Sequence, residues 1–233
     1  MKTITNKEHK LVFSAEIDQG IANAIRRYVY HIPVVAIDEV EISKNDSALY
    51  DEMVGHRVGL IPLKTKKQKG EVTLKAKKSG IVYSQELTGD AEAVYGKIPI
   101  VLLNEGQEFE LKGFLKAGRG TEHAKFSPGN MFFRTETEIS MDKSFKENIQ
   151  KIFPNIEIGE KAGKIILKDN QEKEISDVCE GIVEKSGKKV EMEEKNNLII
   201  SLESFGQISP GEIFKKSIEE LKSDLEEISK KLK

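Results

Sequence analysis

The chain has 233 residues, 33% of them charged and 38% hydrophobic, and 37 basic against 39 acidic residues leave a net charge of −2. That balance argues against a protein whose main task is to hold a phosphate backbone, because such domains are usually strongly basic. No run approaches the about 20 apolar residues that span a bilayer, and residues 1–7 lack the apolar stretch of a secretory signal. A cytoplasmic protein that does not contact a membrane is therefore expected.

The N-terminal segment predicts a strand followed by a helix. Leu11, Phe13, Ala15 and Ile17 alternate with mostly polar residues, which is the period of a half-buried strand. Asp18 can then cap a helix that ends before Pro33. The predicted apolar stripe of this helix is Ile21, Ala24, Ile25 and Tyr28, and its other side carries Asn23, Arg26, Arg27 and Tyr30.

A β-branched run begins at Val34 and predicts the next strand. In an unbroken strand Val35 and Ile37 would face one side, whereas Val40 and Ile42 would face the other. A bulge near Asp38–Glu39 would reconcile the two pairs, and we expect one there. Residues 45–47 offer a helix N-cap, and residues 60–63 indicate a short apolar strand. From residue 64 to 141 short strands alternate with glycines, which favours a mainly antiparallel β region.

Seven lysines cluster between residues 64 and 78 and allow two interpretations. They are Lys64, Lys66, Lys67, Lys69, Lys75, Lys77 and Lys78. Lysine commonly protects the edge of a β-sheet, so a solvated hairpin edge is favoured. The alternative is a freestanding nucleic-acid-binding protein that uses this cluster, and steeply salt-dependent DNA binding would support it.

The C-terminal helix carries the most regular pattern in the sequence. Ser209, Pro210 and Gly211 predict its start, and a helix from there would be roughly 33 Å long. Its apolar residues follow spacings of four, three, four, three and four, a heptad seam: Phe214, Ile218, Leu221, Leu225, Ile228 and Leu232. Periodicity alone leaves open whether this seam packs within its own domain or against a helix of another chain.

The sequence offers no convincing active site or metal site. His9, His31, His56 and His123 are far apart and lack the spacing of a helical metal motif. No phosphate-binding glycine loop and no magnesium-binding aspartate triplet is present. A small α+β enzyme that uses His56 or His123 stays as a third hypothesis, which a turnover or a bound metal would have to support.

Three long motifs, in order, identify a family resemblance. They are Ala22–Arg27 (ANAIRR) with Ile32–Ile42 (IPVVAIDEVEI), Asn45–Leu63 (NDSALYDEMVGHRVGLIPL), and Ala117–Pro128 (AGRGTEHAKFSP). Together they resemble the signature of RNA polymerase D/alpha-type subunits, in their archaeal and eukaryotic branch. The resemblance implies a non-catalytic assembly subunit of DNA-directed RNA polymerase, a nucleotidyltransferase complex that works in transcription. The catalytic magnesium would belong to another subunit, and this chain would hold no cofactor.

The resemblance also implies an α+β architecture and a set of partners. Residues 1–44 and 197–233 would form a dimerisation domain, residues 45–145 an inserted, mainly antiparallel β domain, and residues 146–196 a small ferredoxin-like module. The heptad seam, from Phe214 to Ile228, would pair with the small L subunit. The heterodimer would then be the platform for the large B-type subunit, helped by the small N and P subunits, and would meet DNA only through the complex. Candidate contacts to these subunits are Asn23, Arg26, Arg27, Arg119, His123 and Lys125.

One departure from the family concerns iron–sulfur clusters. Many archaeal members bind them through cysteines of the ferredoxin-like insertion, and a [4Fe–4S] cluster normally needs four thiolates. Cys179 is the single cysteine of this chain, and Phe153–Pro154 stands where a Cys-Pro is expected. We therefore expect a degenerate module without clusters.

Overall fold

A computed structural model describes residues 1–154, 156–161, 163–169, 172 and 174–232. The fold is mixed α+β with mostly antiparallel sheets, so the predicted fold class is confirmed at that level. Chain contacts divide it into two units, residues 1–23 with 131–202 and residues 24–130 with 203–233. The domain boundaries derived from the sequence stay a prediction. Among the described residues, no helix is both long and apolar enough to cross a bilayer.

The described elements are 14 strands and five α-helices. The strands are β1 (Lys2–Lys7), β2 (Lys10–Glu16), β3 (Val34–Asn45), β4 (Leu63–Lys64), β5 (Lys69–Ala76), β6 (Gly80–Tyr83), β7 (Thr88–Gly89), β8 (Glu92–Ala93), β9 (Pro99–Leu103), β10 (Phe109–Gly118), β11 (Gly129–Asp142), β12 (Ile158–Lys161), β13 (Lys164–Asp169) and β14 (Glu191–Ser204). The helices are α1 (Gln19–Tyr28), α2 (Asp51–Gly59), α3 (Lys146–Ile152), α4 (Ser176–Glu184) and α5 (Pro210–Lys231).

The first unit contains most of a six-stranded sheet in the order β1-β2-β14-β11-β13-β12. Strands β11 and β13 alternate as half-buried strands should, and Ile139 and Met141 face Leu167 and Ile165 in register. Helices α3 and α4 cover this face, and Cys179 of α4 is completely buried there. Arg134 and the buried Asp169 form a two-pronged ion pair, with N–O distances of 2.7 and 2.9 Å.

The second unit is built on the four-stranded sheet β3-β10-β5-β7. Its core joins these strands to Val54 and Val58 of α2 and to the β6–β9 ribbon. Glu39 pairs with Phe114 and Ile37 pairs with Leu115, so Asp38 is an extra residue in the register. The bulge expected from the change of parity is confirmed at this position.

Local expectations for two helices need correction. Asp18 does cap α1, since its carboxylate accepts hydrogen bonds from the backbone of Gly20 and Ile21 at 2.7 and 3.2 Å. The buried side of α1, however, runs through Ala22 and Ile25, whereas Ile21 is 52% exposed. The predicted stripe was therefore wrong by one position at its start.

Helix α2 begins at Asp51, later than the predicted cap at residues 45–47. The side chain of Asn45 instead accepts a hydrogen bond from the Ser47 backbone at 3.1 Å and donates one to the Leu49 carbonyl at 2.8 Å. Asn45 thus closes a turn ahead of the helix. The strand expected at residues 60–63 is reduced to Leu63–Lys64.

Candidate assembly surfaces

Helix α5 is well formed from its first residue. Ser209 and Glu212 make a reciprocal capping box, and Pro210 occupies the first turn, where its missing N–H costs nothing. Three i,i+4 ion pairs reinforce the exposed side: Lys215–Glu219, Lys222–Glu226 and Glu227–Lys231. The helix therefore persists to Lys231 even though its C-terminal half is largely exposed.

One face of α5 packs against its own unit, through apolar residues near its start and polar residues further along. Ile213 and Ser217 are buried on it. The Tyr28 hydroxyl donates to Asp224 at 2.9 Å, and the Arg119 guanidinium lies 3.4 Å from Glu220. The hydrogen bond to the Asp224 carboxylate, followed by burial, raises the pKa of Tyr28. These contacts fix the rotation of the helix about its axis.

The heptad seam lies roughly a quarter turn around the helix from that face, at 3.6 residues per turn. Phe214 and Leu221 are half-buried. Exposure is 39% at Ile218, 57% at Leu225 and 53% at Ile228, and it reaches 83% at Leu232. The chain's own fold thus leaves the seam largely uncovered, increasingly so toward the C-terminus.

Helix α1 carries three of the residues predicted as assembly contacts. Asn23 and Arg27 are exposed and Arg26 is half-buried. Both arginines lie in the last turn, where the partial negative charge of the helix C-terminus favours them. Arg27 therefore presents an exposed guanidinium that the dipole of its own helix stabilises.

The other three predicted contacts lie on the segment between β10 and β11. Arg119 is half-exposed and bonded to α5 as described, and His123 is exposed, with its Nδ1 accepting from the Lys125 backbone at 3.1 Å. The Lys125 side chain is only 13% exposed, and its ammonium donates to the Asp38 carboxylate at 2.6 Å. Lys125 thereby ties the segment to the β3 bulge, and its hydrogen bond holds the pKa of Asp38 below its usual range.

His123 and Lys125 line an open cleft of about 450 Å³ with Asp38 and with Asp51, Glu52 and His56 of α2. Sequence reasoning missed the two acidic residues of α2, because no periodic signal links them to a segment some 70 positions away. It did single out His56 and His123, which the fold brings to the same cleft. Among the described residues, no group of three or more His, Cys, Asp or Glu side chains is arranged to hold a metal ion.

The lysine cluster of residues 64–78 is largely engaged within its own unit. Four of its ammonium groups pair with carboxylates: Lys67 with Asp90, Lys75 with Glu110, Lys77 with Glu108, and Lys78 with Glu86. Strand β5 is bordered on both sides, by β10 and by β7. The surface is therefore a mixed-charge one, which weakens the nucleic-acid interpretation.

The buried position of Cys179 suits a core residue. Burial, helped by the charge of Asp169, raises the pKa of its thiol to about 12. A buried neutral thiol behaves as a small apolar side chain and is a poor metal ligand or nucleophile.

A long helix that leaves a heptad-spaced apolar seam uncovered is characteristic of a protein that pairs with another polypeptide. A comparison with protein families identifies which kind of pairing protein this is: residues 12–225 match the RNA polymerase Rpb3/Rpb11 dimerisation domain. The chain belongs to that family.

Individual relatives are similar over different shares of their length. DNA-directed RNA polymerase subunit Rpo3 of Pyrococcus furiosus is 36% identical, over 63% of this chain and 63% of the relative. The subunit of the same name from Thermococcus kodakarensis is 37% identical, over 54% of this chain and 55% of the relative. The chain thus spans less than two thirds of these relatives. The Methanothermobacter thermautotrophicus subunit of the same name is 28% identical, over 98% of this chain and 96% of the relative.

Proposed function

We propose that this protein is a non-catalytic assembly subunit of DNA-directed RNA polymerase that heterodimerises through the seam of α5 with a small L-type subunit. The exposure of that seam is the observation that carries the proposal. Leu225 and Ile228 are each more than half exposed on a helix whose rotation is fixed by polar contacts. Burying a large apolar side chain contributes on the order of 1.5–3 kcal/mol, which a partner helix would supply.

In this proposal the heterodimer is a platform for the large B-type subunit and the small N and P subunits. Arg27 and Asn23 of α1 and Arg119 and His123 of the segment before β11 offer exposed polar groups to those subunits. Arginine is a frequent hot spot in such contacts. Lys125 would act indirectly, because its ammonium is bound to Asp38 and holds the segment in place.

The proposed architecture keeps a dimerisation domain formed by residues 1–44 and 197–233, an insertion at 45–145 and a degenerate ferredoxin-like module at 146–196. Support comes from the α5 seam at one chain end and from the helix-covered strands β12 and β13 in the module. The chain would work in the cytoplasm, and DNA would be contacted through the assembled polymerase.

The test is to purify the tagged chain from its own cells and identify the polypeptides that accompany it. The expected result is stoichiometric recovery of the large polymerase subunits and of one small subunit. The matched variant with Leu225→Asp and Ile228→Asp should recover neither the large polymerase subunits nor the small one. Isolation of the native chain as a well-behaved monomer, with no polymerase subunits, would refute the proposal.

A further inference from the structure

A second apolar surface lies in the first unit, on the outer side of the two helices that cover its sheet. Helices α3 and α4 border an open groove of about 700 Å³. Its apolar lining comes from Phe145, Ile152, Val178 and Ile182, and Ile152 is 50% exposed. The opposite sides of the same helices, with Ile149, Cys179 and Val183, are already buried in the core. Phe145 belongs to that core and Ile182 packs against it, so the apolar surface that the groove leaves open comes from Ile152 and from the half-buried Val178 and Ile182.

The two charged residues that line the groove are both lysines. Lys151 of α3 and Lys185, which follows α4, lie on its rim, and no carboxylate is among its lining residues. Within the described part of the chain neither ammonium takes part in an ion pair. Lys188, by contrast, is paired with Asp142 at 3.0 Å. The acidic residues of α4 lie outside the lining of the groove. Asp177 and Glu184 are four positions before and three positions after Gly181 and so border it on the helix surface, whereas Glu180 lies further round the helix.

Gly181 provides an independent observation at the same place. It lies in the middle of α4 and faces the groove, although glycine in a helix interior costs about 1 kcal/mol relative to alanine. A Cβ at this position would meet nothing within 4 Å, so the packing of this unit does not require the glycine. Glycine does permit the close approach of a second backbone.

We propose that this groove docks an acidic amphipathic helix of another protein. Its apolar residues, spaced three and four apart, would fill the space between Ile152, Val178 and Ile182. Its flanking carboxylates would pair with Lys151 and Lys185, and its backbone would pass closest to α4 at Gly181. The groove shares no residue with the α5 seam, so this inference does not depend on the proposed function.

The test uses the full chain with isotope-labelled isoleucine methyl groups and two synthetic helical peptides about four turns long. One peptide carries leucines at helical spacing flanked by glutamates, and the other has lysine at every glutamate position. The acidic peptide should shift the methyl signals of Ile152 and Ile182 at sub-millimolar concentration, and the basic peptide should not. Ile218 and Ile228 report competing binding to the α5 seam, and the buried Ile100 serves as an internal control.

Three variants separate docking from folding. Reversing both rim charges, with Lys151→Glu and Lys185→Glu, should weaken binding of the acidic peptide about tenfold, whereas Lys161→Glu on β12 should leave it unchanged. Gly181→Ala should weaken binding at least threefold while keeping or raising the thermal midpoint. The inference is overturned by equal binding of both peptides, by shifts confined to Ile218 and Ile228, by an absence of shifts at millimolar peptide, or by full binding to the rim and glycine variants.

Discussion

Replacing Leu225 and Ile228 together by aspartate tests the α5 seam most directly. Both side chains are more than half exposed in the single chain, at 57% and 53%. The double variant should therefore leave the free energy of unfolding of the chain nearly unchanged, since surface substitutions usually act within about 0.5 kcal/mol. The same two changes should abolish pairing with the small partner subunit.

The expected loss of affinity follows from the remaining exposed area. Complete burial of a leucine or isoleucine contributes about 1.5–3 kcal/mol, so the half still uncovered is worth about 2–3 kcal/mol for the two side chains. Two carboxylates placed in the contact add a desolvation cost of at least about 1–3 kcal/mol. A total near 5 kcal/mol corresponds to a Kd more than about a thousandfold weaker.

The assay is titration calorimetry between the purified chain and the small subunit, with the thermal midpoint of the free chain measured in parallel. Ser223→Asp with Lys230→Asp is the matched control, because both positions are exposed on the same helix and lie off the seam. The control should bind normally. An unchanged Kd for the seam variant would refute the argument, as would a collapse of its fold before any binding is measured.

Three further outcomes are expected. Arg27→Ala should leave the fold and the heterodimer intact yet weaken recruitment of the large subunit; unchanged polymerase reconstitution would count against it. Lys125→Met should lower the free energy of unfolding by about 1–2 kcal/mol at neutral pH, because the Asp38 carboxylate loses its main partner. The pKa of Asp38 is depressed in the folded state, so this stabilisation is complete above the unfolded pKa of about 3.9 and disappears as pH falls through the folded value. Urea titrations should therefore give converging stabilities for wild type and variant in acid, and a gap that persists there would contradict the assignment. The Cys179 thiol, with its pKa near 12, should resist maleimide in the native protein and react fully after unfolding; rapid native labelling would show it accessible.

The elements that sequence reasoning located best are those with a periodic signal of their own. The bulge at Asp38 was predictable because a change of parity within one strand has a single simple cause. Strand β5 lies in the region from residue 64 to 141 where the sequence predicts short strands, and its Val72 and Leu74 alternate with exposed residues. Helix α5 was bounded correctly because Ser209, Pro210 and the heptad seam agree with one another.

The features that could not be predicted depend on residues distant in sequence. The ion pair of Lys125 with Asp38 joins positions 87 residues apart, and neither residue type announces a partner. Asn45 has the side chain of a helix cap, yet it closes a turn, because asparagine serves both purposes equally well. The register of β13 against β11 likewise depends on pairing that no pattern within residues 164–169 encodes.

The α5 seam shows why periodicity could identify an apolar contact surface without showing whether its partner is the chain's own core or another chain. A heptad pattern establishes that one face of a helix is apolar, but the chain's own core and a partner helix would both satisfy it. What separates the two is the second face of α5, which holds the helix to its unit through Ser217, Glu220 and Asp224. These residues are polar, so a search for apolar spacing does not detect them. Attachment combines the buried Ile213 with polar contacts from Arg119 and Tyr28. It leaves the C-terminal part of the apolar seam uncovered, and a helix held in this way can offer that part to a partner without first unfolding from its own unit.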